Sequence, residues 1–280
     1  MGALAGTAIE LRVEQRGGRP AVNPVMRGLL DAMSARGAQV DVRVAEREAA
    51  LPGTPGRRAD LVLLKTTTPL ALGRAMAAER AGQRHANRAA ATARAADKAA
   101  VLAALAAHGV AVPETYLIPA GVPPAVPAAD PAHGPWVVKP VLGIHGEGVR
   151  VHPTLADALA DCAARPATPP GTLLLQRHVG GSAPDVKVYV AGTAIHAGRK
   201  RFSASSFEHD EIEPIVLDAA GEACVRACGR ALGLELYGVD LRLDADDRPV
   251  VIDVNPFPGY RGFPSAIDPL LDCVERALAA

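Results

Sequence analysis

The sequence predicts an α/β fold made of a few small lobes. With 280 residues the chain is longer than a domain with one minimal hydrophobic core, so two or three lobes are expected. Short apolar strands first alternate with helix-periodic segments, which is typical of a doubly wound parallel sheet. Later strands are joined by glycine or aspartate turns, which indicates antiparallel hairpins.

The N-terminal lobe is predicted from a β-α-β opening. Strands are expected at residues 8–13 and 39–44, with a helix at 26–36 between them. The nearly continuous apolar run at 60–65 suits a strand covered on both faces, and a helix follows at 70–81. No GxGxxG motif follows the first strand, so dinucleotide binding is not supported in this lobe of about 90 residues.

The central part combines a helix, a linker and a hairpin. The helix is expected at 97–108, and a linker rich in proline and alanine occupies 119–135. A strand at 136–140, a glycine-rich turn at 143–148 and a strand at 149–152 predict the hairpin. A helix at 155–164 and a strand at 172–176 complete a small α+β lobe.

The C-terminal part is predicted to be mainly antiparallel. Strands at 185–191 and 194–201 flank a glycine turn, and a helix is expected at 219–232. A last hairpin pairs strands at 236–243 and 249–254 around the turn at 245–248.

Composition excludes several classes of function. Lys plus Arg equals Asp plus Glu at 30 each, which leaves no broad field for nucleic acid or an anionic membrane. Aromatic residues make up 3% of the chain, and its four cysteines show no metal spacing. Because no basic apolar leader and no apolar run of roughly 18 residues is present, we expect a cytoplasmic protein.

The strongest motif is a pair of facing carboxylates in the last hairpin. If Asp244 pairs with Pro249, then Asp240 lies opposite Asp253, with Cβ atoms about 5 Å apart. Asn255 points to the same face as Asp253, because strand side chains alternate. Hard oxygen donors without histidine or thiolate indicate Mg²⁺. The alternative is a pair of turn-capping residues before a proline, without metal.

Cationic residues form the second part of the motif. Lys139 ends an apolar strand, where a buried ammonium needs an anionic partner. The glycine loop beyond it is suited to cover phosphates with backbone N–H groups. Lys98 begins a helix, and a cation is unfavourable there because the N-terminus of a helix carries partial positive charge. A bound anion would explain the presence of a lysine at this position. Arg199, Lys200 and Arg201 follow on a strand, which taken alone indicates a solvated edge.

In this order the motifs DK, VVKP with its glycine loop, LLLQRHV, DVKVYVAG, GVD and VIDVNPFPG resemble the ATP-grasp superfamily over residues 79–265. The lead-in ERAGQRHANRAAATARAADK is similar to RimK-type amino-acid ligases, whereas KVYVAG and VIDVNPFPGY are similar to the ATP-grasp inositol polyphosphate kinases. The resemblance implies an ATP-grasp fold. A Rossmann-like pre-ATP-grasp lobe would span residues 1–94, a central lid lobe 95–176 and a C-terminal metal-binding lobe 177–280.

The resemblance also implies roles for single residues in binding ATP. The phosphates would be bound by Lys98 and Lys139 under the loop glycines Gly143, Gly146 and Gly148, the adenine by the hinge residues Gln176, Arg177, His178 and Val179, and the ribose by Asp185. Lys187 and Arg201 would reach the γ-phosphate and the reacting group. Asp240, Asp253 and Asn255 would hold one or two Mg²⁺ ions, with Mn²⁺ as an alternative.

Two reactions are compatible with this scaffold. A ligase would use ATP to activate a carboxylate for attack by an amine, with Arg201 and Lys200 or Arg199 stabilising the oxyanion. A kinase would transfer the γ-phosphate to a polyol or inositol-type hydroxyl. We favour the ligase, because the lead-in resembles ligases and the charge balance does not suggest a highly phosphorylated substrate. A non-catalytic binding module would be expected to lack a phosphate lysine or a metal ligand.

The acceptor itself is the least defined partner. Arg261 is suited to bind a substrate carboxylate bidentately, and Tyr260 beside it is expected to influence the acceptor. His145 resembles a histidine in the glycine loop of the inositol kinases, although a loop histidine is typically a solvated side chain. Asp253 stands where RimK-type ligases usually have Glu, which leaves the acceptor open. We expect small-molecule substrates, no nucleic acid and no membrane, and the chain is compatible with a homo-oligomer.

Overall fold

A computed structural model describes residues 3–47, 58–122, 134–143, 147–166, 171–180, 185–200 and 212–279 of the chain. In these ranges the strands form two sheets of four strands, one of five and a two-stranded ribbon. None of the helices in the same ranges combines the length and apolar character that crossing a membrane requires.

The N-terminal lobe is a parallel sheet in the order β4-β1-β5-β6. Its elements are β1 (Ala8–Val13), β2 (Gln15–Arg16), β3 (Arg19–Pro20), α1 (Pro24–Ala35), β4 (Gln39–Val44), β5 (Leu61–Lys65), α2 (Pro69–Arg80) and β6 (His85–Ala86). Helix α1 begins where the Asn23 side chain accepts a hydrogen bond from the amide of Met26. The predicted β-α-β opening is confirmed, and the two-residue strands were missed because they carry no periodicity.

The central lobe is an antiparallel sheet in the order β7-β10-β8-β9. Two helices, α3 (Ala89–Ala96) and α4 (Lys98–Ala107), precede the sheet in the chain. The lobe itself contains β7 (Thr115–Pro119), β8 (Trp136–Pro140), β9 (Arg150–His152), α5 (Leu155–Ala164) and β10 (Thr172–Arg177). The predicted hairpin of β8 and β9 is confirmed. Neither α3 nor β7 was predicted, because alanine blurs the helix boundaries and β7 runs directly into the proline-rich segment.

The third sheet is antiparallel in the order β13-β12-β11-β14-β15. Its elements are β11 (Val186–Ala191), β12 (Ala194–Lys200), β13 (Ile212–Ile215), α6 (Ala219–Leu232), β14 (Leu236–Leu243) and β15 (Pro249–Pro256), and the chain ends in α7 (Ile267–Ala279). Valine and leucine from one face, such as Val188 and Val239, form a core with α6. The opposite face is therefore the one that carries the polar side chains.

The C-terminal segment packs back onto the N-terminal lobe. Leu270, Leu271 and Val274 of α7 share one buried core with α1, β1 and β5. Phe257 and Tyr260, which follow β15, lie in the same core. The loop after the third sheet is consequently held against the carboxyl edge of the first.

Candidate functional site

A β-bulge brings the two carboxylates of the last hairpin together. Leu243, rather than the expected Asp244, pairs with Pro249, so the predicted register of the turn is wrong by one residue. The bulge skips Ile252 and shifts the register back, which places Asp240 opposite Asp253 as predicted. Without it, Asp240 would face Ile252 and the carboxylates would lie on opposite faces of the sheet.

The bulge also links this hairpin to the central lobe. Its extra residue, Ile252, accepts a hydrogen bond of 3.0 Å from the Lys139 ammonium. Lys139 is only 7% exposed, and burial lowers its pKa while the nearby carboxylate of Asp253 opposes that change. A buried cation is thus held at the junction of β8 and β15, beside a carboxylate.

Asp240 already has a cationic neighbour in the sheet. Lys187 stands opposite it on β11 and donates to both carboxylate oxygens, at 2.9 and 3.1 Å. Burial alone would lower the pKa of Lys187, but Asp240 outweighs it and raises that pKa above its usual value. The cation that facing carboxylates require is therefore supplied in part by a lysine.

The oxygen donors suit a hard divalent cation. Asn255 pairs with Gly238, so it shares a face with Asp240 and Asp253. Asp253 makes no hydrogen bond with any described residue, and its carboxylate remains available. The described residues include no group of three or more His, Cys, Asp or Glu side chains arranged to hold a metal. Two carboxylates and one amide oxygen nevertheless match the ligands of Mg²⁺, which usually completes its shell with phosphates and water.

One cleft joins the two phosphate lysines to this carboxylate pair. Asp97 caps α4 by accepting from the amides of Ala99 and Ala100. This start of the helix places Lys98, which donates to the Gly143 carbonyl at 2.7 Å. The cleft is lined by Lys98, Val101, Leu102, Leu105, Lys139, Val251, Ile252 and Asp253. Two ammonium groups and one carboxylate from three separate elements therefore face the same space.

The segment predicted as an adenine hinge is organised by an arginine that sequence reasoning missed. Arg242 on β14 pairs with Asp185 and donates to the Val179 carbonyl at 2.9 Å and toward His178. Gln176 is buried and donates to the Thr115 hydroxyl at 2.9 Å. Arg242 could have been noticed because it projects to the polar face of its strand, two residues from Asp240.

Two predicted substrate residues are corrected by the structure. Tyr260 is fully buried, and its hydroxyl donates to the Val190 carbonyl at 2.6 Å, so it stabilises the core rather than contacting an acceptor. Arg199 pairs with Val186 across the sheet, which directs it to the face opposite Lys187 and Asp240.

The remaining predicted residues fall into three groups. Gly148 accepts from Arg165 at 2.6 Å and has a φ of 70° that favours glycine. Arg177 lies over the ring of Trp136, 5.6 Å from its centroid. The predicted residues His145, Gly146 and Arg201 lie outside the described ranges. The side chain of Lys200 is likewise not described.

Comparison with known proteins gives one local and one global likeness. The family model of the inositol 1,3,4-trisphosphate 5/6-kinase ATP-grasp domain matches residues 218–275. An inositol-tetrakisphosphate 1-kinase from Danio rerio is 39% identical over 54 residues. That alignment spans only 19% of this chain and 14% of the kinase.

The global likeness is to solved ATP-grasp structures. A RimK domain ATP-grasp protein from Sphaerobacter thermophilus superposes with a TM-score of 0.74 at 20% identity, covering 98% of this chain and 100% of that one. The D-cycloserine synthetase DcsG gives 0.70 at 19% identity, covering 97% and 99% of the two chains. The D-alanine–D-alanine ligase of Bacillus anthracis complexed with ATP gives 0.70 at 16% identity, covering 98% of both.

Proposed function

We propose that this chain, which has the ATP-grasp fold, is a Mg-ATP-dependent ligase that joins a carboxylate to an amine or amino acid. One observation carries the proposal: the ammonium groups of Lys98 and Lys139 share a cleft with Asp253, which stands opposite Asp240. Cations on one side and carboxylates on the other suit the phosphates of ATP and a bridging metal.

Lys98 and Lys139 would bind the α- and β-phosphates. Each donates to a backbone carbonyl in the structure, at 2.7 and 3.0 Å. A phosphate oxygen is a stronger acceptor than a carbonyl because the hydrogen bond is charge-assisted on both sides. The loop glycines Gly143, Gly146 and Gly148 would cover the phosphates, and residues 176–179 would bind the adenine, with Asp185 near the ribose.

Asp240, Asp253 and Asn255 would hold Mg²⁺ or Mn²⁺, which would neutralise charge on the β- and γ-phosphates when bound. Lys187 would remain beside Asp240 and extend its positive charge toward the γ-phosphate. Burial and the neighbouring Asp253 raise the pKa of Asp240, and the ammonium of Lys187 opposes that rise because it lies beside the carboxylate.

In the proposed reaction a carboxylate oxygen attacks the γ-phosphorus, and the bond to ADP breaks. The resulting acyl phosphate is attacked by an amine nitrogen, which forms the amide, loses a proton and expels inorganic phosphate. Negative charge develops first on the transferred phosphoryl group and then on the carbonyl oxygen. Lys187, Lys200 and Arg201 are the cations assigned to these charges.

The whole-chain likeness supports ligase over kinase chemistry. The solved structures that cover nearly all of this chain include a D-cycloserine synthetase and a D-alanine–D-alanine ligase. Phosphorylation of a polyol hydroxyl is the second candidate, favoured by the kinase-domain match at 218–275, which contains all three proposed metal ligands.

The deciding experiment measures ADP release with panels of carboxylic acids, amines and polyols, with hydroxylamine as a trap. A ligase releases ADP only with a carboxylic acid present and yields a hydroxamate. ADP release driven by a polyol alone, with no hydroxamate, would overturn the ligase in favour of the kinase. Asp253→Ala should abolish turnover, whereas the exposed Asp272→Ala on α7 should keep it.

A further inference from the structure

The guanidinium of Arg242 contacts both ends of the segment 178–185. It donates to the Val179 carbonyl at 2.9 Å and to the Nε2 atom of His178 at 2.8 Å, and its Nε atom donates to Asp185. The side chains of Arg242 and Asp185 are only 15% and 18% exposed. Arginine presents its N–H donors in a rigid planar fork, so one side chain fixes all three acceptors together. Both ends of the segment are therefore held by a residue of β14.

The contact with Arg242 also fixes the protonation of His178. Arginine has donors but no acceptor, so the Nε2 atom of His178 must accept and carries no proton. Burial and the charge of Arg242 lower the pKa of His178, which agrees with a neutral ring. His178 is thus a neutral side chain with a fixed orientation, and it is not a cation available to the phosphates of a nucleotide.

Arg242 belongs to the rigid sheet that carries the proposed metal site. Lys187 of β11 stands opposite Asp240 of β14, and Asp185 and Arg242 each lie two residues further along the same face. Opposite charges therefore face each other at two successive positions of the two strands. Because arginine stays protonated in proteins, the contact with Val179 does not depend on a titrating group. Val179 is consequently held in a fixed position relative to the metal ligand Asp240.

The amide of Val179 is the group that this arrangement leaves open. It makes no hydrogen bond with any residue in the described ranges, whereas the amide of His178 donates to the Pro135 carbonyl at 3.0 Å. Arg242 fixes the chain on both sides of the open amide, through the His178 ring and the Val179 carbonyl. An N–H donor in a fixed position pairs with N1 of adenine, which is an acceptor. It opposes guanine, whose N1 carries a proton.

We infer that Arg242 is a positioning residue that sets the preference for adenine, because it holds Val179 so that the open amide donates to N1 of the base. Arg242 itself contacts the protein and not the base. This inference rests on the proposed function, since it requires the base to lie against residues 176–179. It adds to that function a residue that controls which nucleotide is bound.

The test compares the affinities of the full chain for Mg-AMPPNP and Mg-GMPPNP by calorimetry. The unmodified chain should prefer Mg-AMPPNP. Arg242→Met should weaken binding of Mg-AMPPNP by tenfold or more and binding of Mg-GMPPNP by less than threefold, so the preference for adenine falls. The matched control Arg248→Met removes an exposed arginine from the turn of the same hairpin and should leave both affinities unchanged.

Equal weakening of both nucleotides in Arg242→Met would overturn the inference, because an arginine with a merely structural role affects both alike. An unchanged preference, or an unmodified chain that does not prefer adenine, would overturn it as well. Circular dichroism melts establish folding. If Arg242→Met does not fold, Arg242→Lys decides in the same assay, because it keeps the charge beside Asp185 but loses the planar fork.

Failure of the proposed function gives a different result. If the unmodified chain binds neither nucleotide, the proposed function is wrong and the role of Arg242 falls with it. If the unmodified chain binds Mg-AMPPNP and only the effect of Arg242→Met on base preference is missing, the nucleotide site stands and the role of Arg242 alone is wrong.

Discussion

Replacing Lys139 by Met tests the centre of the proposed nucleotide site. The substitution keeps the length of the side chain and removes an ammonium that is 7% exposed and donates to the Ile252 carbonyl. A hydrogen bond to a charged group contributes about 1.5–3 kcal/mol. Because about 1.4 kcal/mol corresponds to a factor of ten, affinity for Mg-AMPPNP should fall roughly 10- to 150-fold.

Stability should change much less than affinity. The Ile252 carbonyl loses its donor, which costs about 1–3 kcal/mol, but a desolvated cation is removed at the same time. The two effects oppose one another, so the free energy of unfolding should shift by no more than about 2 kcal/mol. Urea denaturation and circular dichroism melts measure this shift.

Calorimetric titration with Mg-AMPPNP is the assay for affinity, and Arg230→Met, an exposed charge on α6, is the matched control. A folded Lys139→Met variant with unchanged nucleotide affinity would refute the placement of the phosphates. A control variant with the same loss would show that net charge, and not position, controls binding.

Three further outcomes follow from burial and hydrogen bonding. Tyr260→Phe should lower the free energy of unfolding, measured by urea denaturation, by about 1–2 kcal/mol, because the Val190 carbonyl loses its donor. The affinity for Mg-AMPPNP should not change. A loss of affinity without a loss of stability would contradict the assignment of Tyr260 to the core. Asp161→Ala should lower the free energy of unfolding by about 3 kcal/mol in the same assay, because this buried carboxylate accepts hydrogen bonds from Arg165 and Arg150. A loss below about 1 kcal/mol would contradict a stabilising role of this ion pair. Between pH 8 and 10.5 the unfolded chain keeps the Lys65 proton that the folded chain has lost, so this lysine makes stability rise with pH. Lys65→Met should remove that rise in pH-dependent denaturation, and an unchanged slope would argue against a lowered pKa of Lys65 in the folded chain.

Periodic segments were the most predictable part of the fold. The strands Ala8–Val13, Gln39–Val44 and Trp136–Pro140 and the helices Leu155–Ala164 and Ala219–Leu232 have the expected bounds. Each carries enough apolar residues at one period to identify its type. The helix α7 was not predicted, although its buried face is clear once it packs against the N-terminal lobe.

Predictions from neighbouring residues alone were wrong where contacts between distant segments set the strand register or the burial of a side chain. The pairing of Asp240 with Asp253 was predicted from a regular hairpin, but it depends on a bulge whose extra residue accepts from Lys139 in another lobe. The position of Tyr260 after the metal motif indicated a binding role, whereas packing of the loop against the first sheet buried it.

The order of residue types along the chain, by itself, determined the type of the strongly periodic elements, the lysine that ends a strand ahead of the glycine loop and the lysine at a helix start. These follow from spacing of a few residues, which backbone geometry converts directly into faces and turns. Only the tertiary structure decided that a bulge brings Asp240 opposite Asp253, that Lys187 pairs with Asp240, and that Arg242 contacts His178, Val179 and Asp185. The physical reason is that charge pairing and burial depend on chain segments far apart in sequence, whose approach is set by the packing of the three lobes.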